Sequence, residues 1–300
     1  MTQLSRRQLL GGLTIGMTQA HAAAGKGFID AHVHVWTPDT RKYPRAAGFE
    51  KEQATPASFT PDELLAQARP SGVERIVLIQ MSFYQFDNSY MLDAIERYKG
   101  VFSGVGIVDH QASQPQNAMR SLARRGVRGF RIRPAGQPTT WLDAPGMVEM
   151  WRCGADERLA MCPLIDPDAL PSIDRMCRRF PQTPVVIDHL SRIGADGQIR
   201  DDDVRALCDL ARHKNVHVKV SAFYALGQKR YPYLDLAPFI RRVYEAYGPE
   251  RLMWATDCPF QLLNGNTYAG SLELVRDRLD FLSAADREWL LRKTAERVFF

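Results

Sequence analysis

Two histidines one residue apart, His32 and His34, sit in the run Asp30-Ala31-His32-Val33-His34-Val35-Trp36. On a β-strand, residues i and i+2 project to the same side, so the two imidazoles can hold one cation or one substrate oxygen between them. Other runs carry matching chemistry: Arg131 and Arg133, Val186-Ile187-Asp188-His189-Leu190, and Met253-Trp254-Ala255-Thr256-Asp257. A carboxylate at a strand end, as at Asp257, can take a proton from water and act as a general base. His189 can ligate a metal or polarise a carbonyl. The guanidinium forks of Arg131 and Arg133 suit a carboxylated, anionic small molecule, or one of them pairs with Asp166 or Asp188 as structure. Lys219 either contacts substrate or neutralises a buried carboxylate. Arg192 and Tyr224, just past strand ends, complete the candidate substrate contacts.

Such residues act together only if the fold brings them together. Short β-branched runs alternate with helical stretches, the pattern of parallel strands joined by crossover helices. Strands are expected near Phe28–Trp36, Glu74–Ser82, Phe102–Asp109, Val127–Pro134, Leu159–Asp166, Pro184–Arg192, Val216–Tyr224 and Arg251–Phe260. Thr60 and Ser283 offer N-caps for the helices that follow them. Eight strands with intervening helices predict a single-domain α/β protein, a (β/α)8 or TIM barrel, whose site lies at the C-terminal strand ends. A dinucleotide-binding fold would place a glycine-rich turn after its first strand, where this chain has histidines and a tryptophan. Period-2 counting puts Asp30, His32 and His34 on one face of the first strand and Gly129, Arg131 and Arg133 on one face of the fourth. It likewise groups Val185, Ile187 and His189, then His217, Lys219 and Ser221, then Met253, Ala255 and Asp257. The long first connection, residues 37–73, is expected to cover the site, and Trp36 either walls the pocket or joins the core.

The rest of the composition narrows the class. Of 300 residues 45% are hydrophobic and 24% charged, the balance of an ordinary globular domain. The net charge of +5 is spread as arginine pairs rather than as a basic stripe with aromatics, which argues against nucleic acid as partner. The 5 cysteines form no CxxC pair and cannot all be joined in disulfides. Residues 1–24 begin Ser5-Arg6-Arg7-Gln8-Leu9-Leu10 and end near Ala20-His21-Ala22, a basic start, a short apolar stretch and a small-x-small cleavage signal. This pattern resembles a twin-arginine export signal, with the twin-arginine export machinery as partner and a periplasmic or exported location. The barrel then occupies residues 25–300, with no stable membrane insertion after cleavage.

The runs around His32 and His34, Val186-Ile187-Asp188-His189-Leu190 and Ala255-Thr256-Asp257-Cys258-Pro259-Phe260 resemble signatures of the amidohydrolase superfamily. They fit best its amidohydrolase-related branch, which holds pyrone-dicarboxylate and sugar-acid lactonases. The resemblance runs from Phe28 to the C-terminus and implies that Asp257 activates water while His32, His34 and His189 bind a metal or polarise the substrate. Strand four departs from the fuller metal pattern, offering arginines where many members have a carboxylated lysine or a glutamate. Strand five, ending Cys162-Pro163-Leu164-Ile165-Asp166, has no histidine, so a two-metal centre is not expected. One divalent ion, zinc or manganese, on His32, His34, His189 and Asp257, and a metal-free site, both remain open. The expected activity is hydrolysis of a small carboxylated cyclic ester. Metal-dependent non-oxidative decarboxylation of an aromatic or unsaturated acid is the alternative, and anion binding without catalysis a third reading.

Overall fold

The computed structural model describes residues 27–49, 54–134 and 139–300; the expected export signal lies outside them. Eight strands form where the sequence places them: β1 (Phe28–Val33), β2 (Val73–Ile79), β3 (Phe102–Gly106), β4 (Val127–Ile132), β5 (Ala160–Pro163), β6 (Val185–Ile187), β7 (Val216–Ser221) and β8 (Leu252–Ala255). They pair in parallel in chain order, and a bridge between Val33 and Cys258 returns the last strand end to the first. The result is the expected (β/α)8 barrel.

Helix α1 (Pro61–Ala68) starts on a capping box between Thr60 and Glu63, with Pro61 at its first position. Helices α2 (Ser89–Arg97) and α3 (Pro115–Ala123) follow β2 and β3. Helix α4 (Pro145–Glu157) starts on Pro145 at its first position, without a side-chain cap from Ala144. Its second residue must be glycine: a Cβ on Gly146 would collide with the His110 carbonyl. Helices α5 (Leu170–Arg179), α6 (Asp201–Asp209), α7 (Ala237–Tyr247) and α8 (Tyr268–Glu273) cover the later strands. The closing segment is α9 (Ala284–Glu288), capped by Ser283, then a π turn and α10 (Thr294–Phe299). Among the described residues no helix is long and apolar enough to cross a membrane.

Two apolar layers share the strands. Ile29, Ala31, Val77, Ile79, Val105, Cys162, Val186, Met253 and Ala255 fill the barrel interior, and Ala295 and Phe299 of α10 plug its N-terminal end. Alternate residues such as Val185, Ile187, Val218, Val220 and Trp254 pack outward against the helices. Trp36 joins the outer core, fully buried against Phe59, Phe83 and Phe260. The long first connection is tied down by the pairing of Trp36 with Phe59. None of its described residues lines the cleft at the strand ends, contrary to the expected cover.

Simple alternation fails at two strands, and each failure shapes the site. In β1 the register slips between Asp30 and Val33, so Asp30 points outward while His32 still faces in. Asp30 accepts hydrogen bonds from the Thr256 hydroxyl and amide and from the Tyr268 hydroxyl, locking β1 to the end of β8. Burial pushes its carboxyl up to about 6 against those donors. In β6 the strand ends at Ile187, and His189, Leu190, Ser191 and Arg192 all adopt left-handed backbone with φ of 52 to 55°. Counted by twos, His189 would lie outward with Val185 and Ile187; this turn brings it over the barrel mouth instead. Each such non-glycine residue costs roughly 1–2 kcal/mol, strain of the kind that persists where a site needs a particular geometry.

His217, inward at the opposite end of β7, gives a pH test of the fold. Burial, with Arg297 nearby, depresses its imidazole to about 4. Between about pH 6.5 and pH 4 the unfolded chain therefore binds a proton that the folded chain does not. Its contribution is complete above about pH 6.5 and is lost as pH falls through the folded value, an effect on the order of 3 kcal/mol. Urea unfolding at about pH 7 and about pH 4.5 should show this loss in the parent protein and a smaller one in His217→Asn.

Candidate active site

The residues singled out by type and spacing gather at the C-terminal strand ends around Asp257. This residue follows β8 in left-handed backbone, φ 66°. Its amide donates to the His32 carbonyl, fixing β8 to β1. Its Oδ1 lies 3.2 Å from His34 Nε2 and 3.5 Å from His32 Nε2, and Oδ2 accepts from the Tyr224 hydroxyl at 2.6 Å. His189 Nε2 stands 3.8 Å from Oδ2, and its Nδ1 lies 2.9 Å from Ser221 Oγ. Burial alone would raise the Asp257 pKa, but the surrounding His189 and His34 outweigh it and hold the carboxyl well below its usual range. The carboxylate is therefore ionised and free to accept a proton, as a weaker base than an unperturbed aspartate.

Beneath Asp257 lies a buried ionic layer. Asp188 sits 2.9 Å from Lys219 Nζ, 3.3 Å from Arg131 and 3.3 Å from His32 Nδ1. Desolvation opposes its charge, and the Lys219 ammonium overcomes it, keeping Asp188 ionised. Burial and the same ammonium keep His32 neutral. Cations approach both nitrogens of His32, Arg131 at 2.8 Å from Nε2 and Lys219 Nζ at 3.2 Å from Nδ1, with Asp188 3.3 Å from the same Nδ1. His34 Nδ1 lies 2.9 Å from the Ile79 carbonyl and must donate to it, leaving Nε2 as the acceptor.

The Nε2 atoms of both histidines of the pair thus point to one place beside Asp257. His32, His34 and Asp257 each offer one ligand atom, all within 4.8 Å of one another. Asp257 Oδ1 is buried with no hydrogen-bond donor among the described residues. Two imidazoles and a carboxylate fit one borderline divalent ion such as zinc. His189, grouped with this set from sequence, faces the other carboxylate oxygen.

The remaining candidates separate. Arg131, Arg192 and Tyr224 line a cleft of about 630 Å³ above Asp257, together with Lys229. Arg192 is half-exposed and pairs with Asp166 at 3.1 Å. Lys219 is fully buried and does not reach the cleft; it belongs to the ionic layer, as the carboxylate-neutralising reading had it. Arg133 does not join Arg131: it is exposed and lines an adjoining cavity. Asp188 and Lys229 were not picked as site residues. Val185, Val186 and Ile187 are apolar on both faces, so the strand gives no parity signal to place Asp188 inward.

A (β/α)8 barrel with a buried aspartate, a paired-histidine motif and a cationic cleft at its strand ends defines a barrel hydrolase. The amidohydrolase family model matches residues 29–300. The L-fucono-1,5-lactonase of Burkholderia ambifaria is 32% identical over 246 residues, covering 79% of this chain and 82% of that one. A putative 2-pyrone-4,6-dicarboxylic acid hydrolase from Pseudomonas putida superposes with a TM-score of 0.78 at 26% identity, covering 91% of this chain and 97% of that one. A Burkholderia multivorans amidohydrolase with bound zinc shares the fold, with a TM-score of 0.75 at 23% identity over 91% of this chain and 98% of that one. The chain belongs to the amidohydrolase family.

Proposed function

We propose that this protein hydrolyses a small anionic lactone. The observation that carries the reading is the ionised Asp257 carboxylate, buried between histidines yet open to a cleft lined by Arg131, Arg192 and Lys229. The L-fucono-1,5-lactonase supports a cyclic ester, and the putative 2-pyrone-4,6-dicarboxylic acid hydrolase supports an anionic one. Asp257, oriented by the Tyr224 hydroxyl, takes a proton from water as that water attacks the ring carbonyl. His189, held through its Nδ1 against Ser221 Oγ, stands over the barrel mouth to polarise the carbonyl oxygen as charge develops there. The acyl–oxygen bond then breaks, and the leaving alkoxide recovers the proton from Asp257. The cleft's cations hold the anionic group of the substrate.

His32, His34 and Asp257 would hold a divalent ion, which supplies Lewis acidity and a bound water of lowered pKa. The His32 Nε2 it needs is the nitrogen that Arg131 approaches, so ion and arginine compete for it. Purified protein in a pH-stat should release one acid equivalent per turnover from carboxylated five- and six-membered lactones. Acid release from none of them, by protein with or without added zinc or manganese, would refute the proposal.

We also propose export by the twin-arginine route, supported by Arg6-Arg7 followed by Leu9-Leu10. Replacing both arginines by lysine should abolish export; unchanged export would refute it.

A further inference from the structure

Beside the catalytic cleft lies a second cavity of about 280 Å³, and Ser82, Arg131 and Leu164 line both. Its character differs from that of the cleft. Ile107, Val108, Ile132, Met147 and Met150 form one apolar side of it, while Gln85, His110 and Arg133 bring polar groups to the rest of the lining. Helix α4 brings the two methionines there because Gly146 lets it lie against the His110 carbonyl. Phe86, at the rim, keeps 50% of its surface exposed although it is a large apolar side chain. An exposed aromatic at the edge of an apolar recess is a common mark of a binding surface.

Resting on the lactonase reading, we propose that the substrate carries an apolar arm that enters this side pocket while its lactone ring sits over Asp257. The recess has the volume for a short alkyl chain or a single aromatic ring. The aliphatic and thioether side of the recess offers almost nothing to the hydroxyls of a sugar lactone, which would lose their water against it without replacement. Methionines suit an arm of irregular shape, since their unbranched chains adapt to it. The preferred substrates are therefore alkyl- or aryl-substituted anionic lactones, with polyhydroxylated sugar lactones disfavoured.

The test compares carboxylated γ-lactones bearing a methyl or a pentyl group on the ring. The pentyl compound should exceed the methyl compound in kcat/KM by about tenfold or more. Ile107→Trp fills the recess and should bring that ratio close to unity. Phe86→Ala, at a half-exposed position and with circular dichroism as the folding control, should lower it about threefold through lost contact area. A ratio near or below unity in the parent protein, or one that neither substitution changes, overturns the arm pocket. If neither lactone turns over, the hydrolytic reading fails on its own. Calorimetric binding of the matching pentyl and methyl lactams then decides the pocket, with equal affinities overturning it.

Discussion

Asp257→Asn should lower kcat on an anionic lactone by about 10²- to 10⁴-fold, the usual range for loss of a positioned general base. The amide keeps the size of the side chain and an oxygen for the Tyr224 hydroxyl, which donates to Oδ2 at 2.6 Å. What it loses is the negative charge and the capacity to hold the water proton. KM should change far less, because the anion is held by Arg131, Arg192 and Lys229 around the cleft. Steady-state kinetics on the best lactone of the panel, with circular dichroism as a control for folding, measures both. Retention of more than about a tenth of kcat would move the base elsewhere.

The second large effect lies one layer deeper. Lys219→Met should destabilise the barrel by about 3–5 kcal/mol, since removing one partner of a buried pair leaves an uncompensated charge. Asp188 would keep Arg131, 3.3 Å away, but lose the closer ammonium at 2.9 Å. Lys219→Met combined with Asp188→Asn should recover part of that loss, because the two residues are in direct contact and their effects are not additive. Urea unfolding of the single and double variants gives the coupling. Full additivity would mean that the pair is not the unit that stabilises this layer. The same substitution should lower activity, since Lys219 and Asp188 both stand against His32 Nδ1, at 3.2 and 3.3 Å, and hold its ring beneath the centre.

Much of this architecture was legible in the sequence because parallel barrels repeat a simple pattern. All eight strands and their order follow from apolar runs separated by helical stretches, and β7 alternates as expected, with Lys219 inward and Val218 outward. What alternation could not supply were its interruptions. The register slip in β1 turned Asp30 from an inward residue into the lock between β1 and β8. The left-handed run from His189 to Arg192 carried His189 over the mouth, although counting by twos from Val185 would have pointed it at the helices. Neither leaves a mark in residue type: no glycine announces the left-handed turn. Asp188 reads from the sequence only as a structural partner for an arginine, which it is to Arg131 at 3.3 Å, and its place at the centre of the ionic layer escaped because its strand is apolar on both faces. The separation of Arg133 from Arg131 arises at the very end of β4, where Ile132 is the last strand residue and alternation no longer binds the chain. Lys219 shows the limit of reading charge as function, because an inward lysine serves a buried aspartate as readily as a substrate.

The central claim is that water, activated at Asp257, opens a ring ester. The most direct test is turnover in heavy-oxygen water with mass analysis of the product. The account predicts a hydroxy acid heavier than the lactone by one labelled water, with the label in the new carboxylate, formed about 10²- to 10⁴-fold more slowly by Asp257→Asn. A product of unchanged mass would show isomerisation, and loss of carbon dioxide would show decarboxylation; either result contradicts the account.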